Sequence, residues 1–182
     1  MNNAIDPTIL KMYKSPDSYE KMKQFYEDAL AKYPVAHESV YVPTRFGQTH
    51  ALAMGPADAP PLLMLQGLAG SAVLWHQQVA PFSQHFRLYA LDTVGQPGRS
   101  APHAPSIFGS GYTDWLVDVL DGLKLPKAHM IGVSLGSWAI IELGIAHPAR
   151  LDKGVLLSPM GLARGKMNVR RWIPNPTRRN RA

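Results

Sequence analysis

The spacing of hydrophobic positions changes along this chain of 182 residues, and the changes predict which segments form helices and which form strands. Apolar side chains recur at helical spacing between Asp17 and Lys32, directly after the capping sequence Ser15-Pro16-Asp17, so this segment is predicted as an amphipathic helix. Residues 38–43 and 49–54 are then predicted as two strands joined by a tight connection, and we expect them to form a hairpin.

From residue 62 onward, short apolar runs alternate with helical patterns. A short uninterrupted apolar run is typical of a strand buried on both faces of a parallel sheet. The predicted strands of this kind are Leu62–Leu65, Arg87–Leu91, Ala128–Val133 and Gly154–Leu157, and the predicted helices are residues 73–84, 112–123 and 134–147. This alternation predicts an α/β fold, in which right-handed crossovers build a mostly parallel sheet with helices on both faces.

The loops after the predicted parallel strands indicate where a functional site would lie. In sheets of this kind, ligands bind beyond the C-terminal ends of the strands. That edge carries the loops that begin at Gln66, Asp92, Ser134 and Ser158. Chemically active side chains are therefore expected on these four loops.

One of these loops contains a nucleophile motif. The sequence Gly132-Val133-Ser134-Leu135-Gly136 matches the pattern G-x-S-x-G and lies between a predicted strand and a predicted helix. A sharp strand-to-helix turn strains the serine, and glycines beside it let the neighbouring backbone pass closely. Ser134 is therefore the predicted nucleophile, and Gly132 and Gly136 are the glycines that permit its turn. The alternative is a serine that only caps a helix after a glycine-rich turn.

A serine that attacks a carbonyl group needs hydrogen-bond donors aimed at the oxyanion that develops. The backbone N–H of Leu135, directly after the serine, is one predicted donor. The backbone N–H of Leu68 is the second, because Gln66-Gly67-Leu68 follows the first predicted parallel strand. As an alternative, Gly67 and Gly70 could simply form a turn.

Between residues 38 and 160 the chain resembles the α/β-hydrolase superfamily, in the branch of small carboxylesterases and related hydrolases. The resemblance rests on Gln66-Gly67-Leu68, on the segment 92–100 and on the serine motif, in the family's order. It implies a serine hydrolase that forms an acyl-enzyme on Ser134 from a small ester-like substrate, without a cofactor. Asp92 matches a structural position of the family. The family usually has His-Gly where this chain has Gln66-Gly67.

The same resemblance implies an acid and a histidine on loops that follow the serine. After Ser134 the chain has one histidine, His147, and two acids, Glu142 and Asp152. At 1.5 Å per helical residue, His147 would lie about 20 Å and Glu142 about 12 Å from the nucleophile, too far for a hydrogen bond.

Two upstream histidines, His76 and His103, fall near the predicted active edge, and either could supply a base from another direction. The simpler interpretation is a truncated form of the fold that lacks its last strands together with the acid and the histidine. A missing strand neighbour would leave a hydrophobic sheet edge. The alternative function is a non-catalytic, hydrolase-like module that binds a ligand.

The chain is accordingly divided into a helical extension (1–36), an incomplete hydrolase core (37–160) and a basic tail or the start of a lid (161–182). The net charge of +6 belongs to that tail, since seven basic residues and no acid follow Ala163. A solvated tail is the interpretation adopted, with a nucleic-acid contact as the alternative, so no nucleic-acid partner is expected.

Composition limits the class of protein and the kinds of site that are possible. With 46% hydrophobic and 18% charged residues the chain has ordinary globular composition, and without cysteine it can have neither disulfides nor thiolate metal sites. No metal site is predicted. The N-terminus carries neither a basic region nor an apolar run of the kind found in leader sequences, so a cytoplasmic protein without membrane contact is expected. The oligomeric state is left open.

Overall fold

Residues 12–161, the part of the chain described by the computed structural model, form a six-stranded sheet with helices on both faces. The strands are β1 (Glu38–Thr44), β2 (Gly47–Met54), β3 (Pro61–Leu65), β4 (Arg87–Leu91), β5 (Ala128–Val133) and β6 (Leu151–Leu157). The helices are α1 (Pro16–Ala31), α2 (Val79–Phe82), α3 (Gly111–Gly122) and α4 (Leu135–Ala146), with 3₁₀ turns at Ala72–Trp75 and Pro148–Arg150.

The strand order across the sheet is β1-β2-β4-β3-β5-β6. The hairpin β1–β2 is antiparallel and joins β4 in antiparallel fashion, whereas β4, β3, β5 and β6 run parallel. This arrangement confirms the predicted α/β fold with its N-terminal hairpin. It also brings the C-terminal ends of β3 and β5 side by side at the centre of the sheet.

Each face of the sheet has its own hydrophobic core, because successive side chains of a strand point to opposite faces. In β3, Leu63 and Leu65 pack beneath α3 and α4, whereas Leu62 and Met64 pack against the face covered by α1 and α2. Apolar residues on both faces explain why β3 is an uninterrupted apolar run.

The helix predicted over residues 73–84 is wrong in its extent. The structure has a 3₁₀ turn at Ala72–Trp75 and only one turn of α-helix at Val79–Phe82. Pro81 gives the physical reason, since proline lacks an N–H and its ring clashes with the carbonyl four residues earlier. A helix can therefore include Pro81 only in its first turn, and α2 begins two residues before it.

Strand β6 exposes apolar side chains at consecutive positions, and consecutive positions face opposite sides of the sheet. Val155, Leu156 and Leu157 are all exposed, and none of the strands within residues 12–161 pairs with the outer edge of β6. An exposed hydrophobic strand edge favours pairing with another chain. The hydrophobic sheet edge expected from the sequence is thus present in the described part of the chain.

We expect Val155→Lys to lower self-association of the purified chain at rising protein concentration, because a lysine on an edge strand opposes edge-to-edge pairing. Phe25→Lys on α1 is the matched control, since Phe25 is 50% exposed and Val155 is 52% exposed. The measurement is the average mass by light scattering. Equal effects of the two substitutions would show that general surface charge, and not β6, controls association.

The structure describes residues 12–36 of the predicted helical extension and Gly161 of the predicted tail or lid (161–182). The rest of both predicted segments lies outside the described residues. Among the helices of residues 12–161, none is long and apolar enough to cross a membrane.

Candidate active site

Ser134 lies at the abrupt turn between β5 and α4. Its backbone adopts φ 50° and ψ −106°, a conformation that L-residues rarely occupy and that costs free energy unless the surroundings enforce it. The Ser134 N–H donates to the carbonyl of Leu157 in β6 at 2.9 Å, and the Ser134 carbonyl accepts from Trp138 and Met160. These backbone bonds hold the turn, so the side chain of Ser134 is not needed to maintain it.

The glycines on either side of Ser134 are required by close backbone contacts. A Cβ at Gly136 would lie 2.6 Å from the carbonyl oxygen of Leu65, and a Cβ at Gly132 would lie 2.5 Å from the carbonyl carbon of Gly136. Such distances are far below van der Waals contact. The first turn of α4 therefore packs directly on the end of β3 because Gly136 has no side chain, and it packs on β5 because Gly132 has none.

Gly136→Ala is expected to destabilise the fold by about 2 kcal/mol or more, because the new methyl group would overlap rigid backbone of β3. Gly144→Ala in the same helix is the matched control, since its Cβ would meet only the movable Leu151 side chain, at 3.1 Å. Chemical denaturation measures the two free energies of unfolding. Similar values for the two variants would contradict the close contact at Gly136.

The loop after β3 lies against the serine. A Cβ at Gly67 would lie 3.2 Å from Ser134 Cβ and 3.9 Å from Ser134 Oγ, so this glycine lets the loop approach the hydroxyl. The next residue is Leu68, whose side chain is exposed. No acceptor within residues 12–161 takes the N–H of Leu68 or of Leu135. Both predicted oxyanion donors, one on the loop after β3 and one directly after Ser134, are thus free of acceptors within the described residues.

A buried hydroxyl that the sequence interpretation missed joins the elements around the turn at Ser134. Ser137 Oγ accepts from the N–H of Leu157 at 3.0 Å and donates to the carbonyl of Gly132. It therefore ties α4 to both β5 and β6. Its position three residues after Ser134 was the available signal, but a serine in the first turn of a helix gives no indication of its long-range partners.

Asp92, at the end of β4, is fully buried and accepts four hydrogen bonds through its carboxylate. Oδ2 accepts from Tyr26 at 2.8 Å, from His50 Nδ1 at 2.8 Å and from the Arg99 N–H at 3.0 Å, and Oδ1 accepts from the Ala72 N–H at 2.7 Å. These donors come from α1, β2 and the loops after β3 and β4. Asp92 thereby holds together the elements on one side of the site.

The electrostatics of this cluster fix Tyr26 as a hydrogen-bond donor. Burial, together with the Asp92 carboxylate nearby, raises the pKa of the Tyr26 hydroxyl above its ordinary value. Tyr26 therefore remains protonated and donates to Asp92. Neither Tyr26 nor His50 was identified as a partner of Asp92 from the sequence, because their separations of 66 and 42 residues leave no local pattern.

No histidine within the described residues is hydrogen-bonded to Ser134. No hydrogen bond joins Ser134 Oγ to any residue between 12 and 161, and the side chains of His76, His103 and His147 are exposed without a described hydrogen bond. Asp152, unlike these histidines, is engaged in an ion pair with Lys127 at 2.9 Å. Over this range no group of three or more histidine, aspartate or glutamate side chains is arranged to bind a metal ion.

Comparisons with known proteins agree with this fold. A family model described as the alpha/beta hydrolase fold matches residues 60–177. The carboxylesterase nap of Bacillus subtilis is 41% identical over 136 residues, which make up 75% of this chain and 45% of that relative. Carboxylesterase YbfK of the same organism is 37% identical over 147 residues, which make up 81% of this chain and 50% of YbfK.

A solved structure gives the same relationship in three dimensions. The crystal structure of naproxen esterase (carboxylesterase NP) from Bacillus subtilis matches with a TM-score of 0.75 and 39% identity, covering 81% of this chain and 51% of that one. The chain therefore spans about half the length of the curated relatives it matches.

Proposed function

The chain belongs to the alpha/beta hydrolase fold family, and from this premise we propose that Ser134 is the nucleophile of an enzyme that hydrolyses carboxylic esters. The observation that carries the proposal is the strained backbone of Ser134 at the β5–α4 turn, with Gly67 packed beside its hydroxyl. Relatives named carboxylesterases at 37–41% identity support this reaction type.

In the proposed reaction Ser134 Oγ attacks the carbonyl carbon of the ester and forms a new C–O bond. The carbonyl oxygen becomes an oxyanion, which the N–H groups of Leu68 and Leu135 stabilise by hydrogen bonds. Collapse of this tetrahedral species breaks the bond to the alcohol and leaves the acyl group on Ser134. Water then attacks the acyl-enzyme, releases the acid and restores the serine.

Both steps need a base that takes the proton from Ser134 or from water and returns it to the departing group. We infer that the histidine and its acid come from polypeptide other than residues 12–161. The lack of any described side-chain hydrogen bond at His76 and His103 and the distance of His147 along α4 support this inference. Apolar positions exposed on both faces of β6 mark where such polypeptide would pack.

The experiment that tests the proposal is labelling with a fluorophosphonate, in which Ser134 Oγ bonds to phosphorus as fluoride departs. Enzymes that lose one member of a catalytic triad keep roughly 10³–10⁴-fold acceleration over water from oxyanion stabilisation and binding. We therefore expect slow labelling, mapped by mass spectrometry to Ser134. Imidazole in the buffer should accelerate labelling in proportion to its neutral form, because it can act as the missing base.

The second candidate is a module that binds a ligand without turnover, favoured by the absence of any described hydrogen bond to Ser134 Oγ. This candidate predicts that the chain binds an ester such as p-nitrophenyl butyrate but gives no labelling with or without imidazole. Labelling confined to Ser134 would exclude it, whereas equal labelling of several serines would contradict the proposed nucleophile.

A further inference from the structure

The loop that carries Leu68 is held by side chains of the loop that follows β4. The N–H of Ala69 donates to Oε1 of Gln96 at 2.8 Å, and three residues later the N–H of Ala72 donates to Oδ1 of Asp92 at 2.7 Å. Asp92 is the structural carboxylate described above. Gln96 contacts the backbone one residue after the proposed oxyanion donor.

Ala69 adopts a backbone conformation that needs support. Its φ of 60° lies in the left-handed region, where the Cβ of any residue other than glycine is crowded. The turn is closed by a bond from the N–H of Gly70 to the carbonyl of Gly67 at 3.1 Å. Loss of the Gln96 acceptor would leave Ala69 free to return to an ordinary conformation and rotate the peptide that precedes it.

Gln96 itself is placed by a rigid loop. Its N–H donates to the carbonyl of Thr93 at 3.0 Å, and the N–H of Gly95 donates to the carbonyl of Ala101 at 2.8 Å. A Cβ on Gly95 would lie only 2.3 Å from Ala104, so the loop is closely packed on itself. The Gln96 carbonyl therefore reaches Ala69 from a fixed support.

We propose that Gln96 is a positioning residue, whose side-chain carbonyl holds the loop after β3 so that the Leu68 N–H points at the oxyanion. The proposal rests on the function proposed above. Glutamine suits this task because its carbonyl accepts from Ala69 while the side chain carries no charge. A carboxylate at the same place would also accept, but its negative charge would oppose an oxyanion that develops nearby.

The variants Gln96→Met and Gln96→Glu separate the effect of the hydrogen-bond acceptor from the effect of charge. Methionine has a similar length and no strong acceptor, whereas glutamate keeps an acceptor and adds a charge. Gln77→Met is the matched control, because Gln77 is exposed and makes no described hydrogen bond. Amide hydrogen exchange of residues 66–72 reports the loop, and the rate of fluorophosphonate labelling reports the oxyanion site.

For Gln96→Met we expect faster exchange in residues 66–72 and labelling slowed about tenfold, less than the loss of a whole oxyanion donor. For Gln96→Glu we expect wild-type protection of the loop with labelling still slowed. A purely structural role predicts instead that glutamate restores both quantities. Wild-type exchange or wild-type labelling in Gln96→Met would overturn the proposal.

The exchange measurement also separates this proposal from the proposed function. If the wild-type chain is not labelled even with imidazole, the function fails, and the exchange of residues 66–72 still decides whether Gln96 holds the loop. The Ala69–Gln96 bond is exposed, so both variants are expected to fold, and their thermal unfolding should match that of Gln77→Met.

Discussion

Ser134→Ala is expected to reduce fluorophosphonate labelling about a hundredfold or more, to the level of scattered surface serines, because the bond to phosphorus forms on the missing Oγ. The same substitution should remove the acceleration by imidazole. Labelling is measured by intact mass and then by peptide mapping. A variant that labels at the wild-type rate would place the reactive group elsewhere.

A second substitution at the same position tests whether the fold imposes the strain on Ser134. Ser134→Gly should unfold with a free energy about 1 kcal/mol higher than Ser134→Ala, since glycine adopts a positive φ without crowding. Both variants lack the nucleophile, so both should be unreactive. Equal stabilities would mean that the backbone at this turn stores no strain.

Asp92→Asn is expected to lower the free energy of unfolding by about 3–5 kcal/mol, which is a large fraction of the stability of a typical domain. The new amide nitrogen cannot accept, so at least one buried donor among Tyr26, His50, Ala72 and Arg99 loses its partner. An unsatisfied buried donor costs about 1–3 kcal/mol, and the amide N–H₂ also faces other donors.

Denaturant unfolding followed by circular dichroism measures this loss. Asp58→Asn is the matched control, because Asp58 is an exposed acid in a turn, and its replacement should change stability by no more than about 0.5 kcal/mol. A wild-type unfolding curve for Asp92→Asn would show that the four hydrogen bonds to the carboxylate contribute little.

The sequence predicted the strands well where the residue types of the strand itself determine its structure. Strand β3 is a run of residues that are apolar on both faces, and such a run is stable only between two hydrophobic layers. The segment around α2 was predicted less well. Trp75 and Val79 are four residues apart, as on one face of a helix, and both are buried, but Pro81 prevents one continuous helix.

At the site, too, the sequence predicted the features that depend on neighbouring residues and missed those that depend on distant ones. The G-x-S-x-G pattern identified Ser134 because a serine between a strand and a helix needs small neighbours, and the structure shows the contacts that exclude a Cβ at Gly132 and Gly136. Gln96 and Ser137 gave no such local signal. Their hydrogen bonds reach partners 27 and 20 residues away along the chain.

The sequence by itself therefore determined the strand–helix alternation, the sharp turn at Ser134 and the small number of histidines after it, because each depends on residue type and short spacing. Only the tertiary structure decided that Asp92 accepts from four donors and that Gln96 accepts from the N–H of Ala69 in the loop of Leu68. Hydrogen bonding and burial depend on which distant segments come into contact, and local sequence propensity does not predict those contacts.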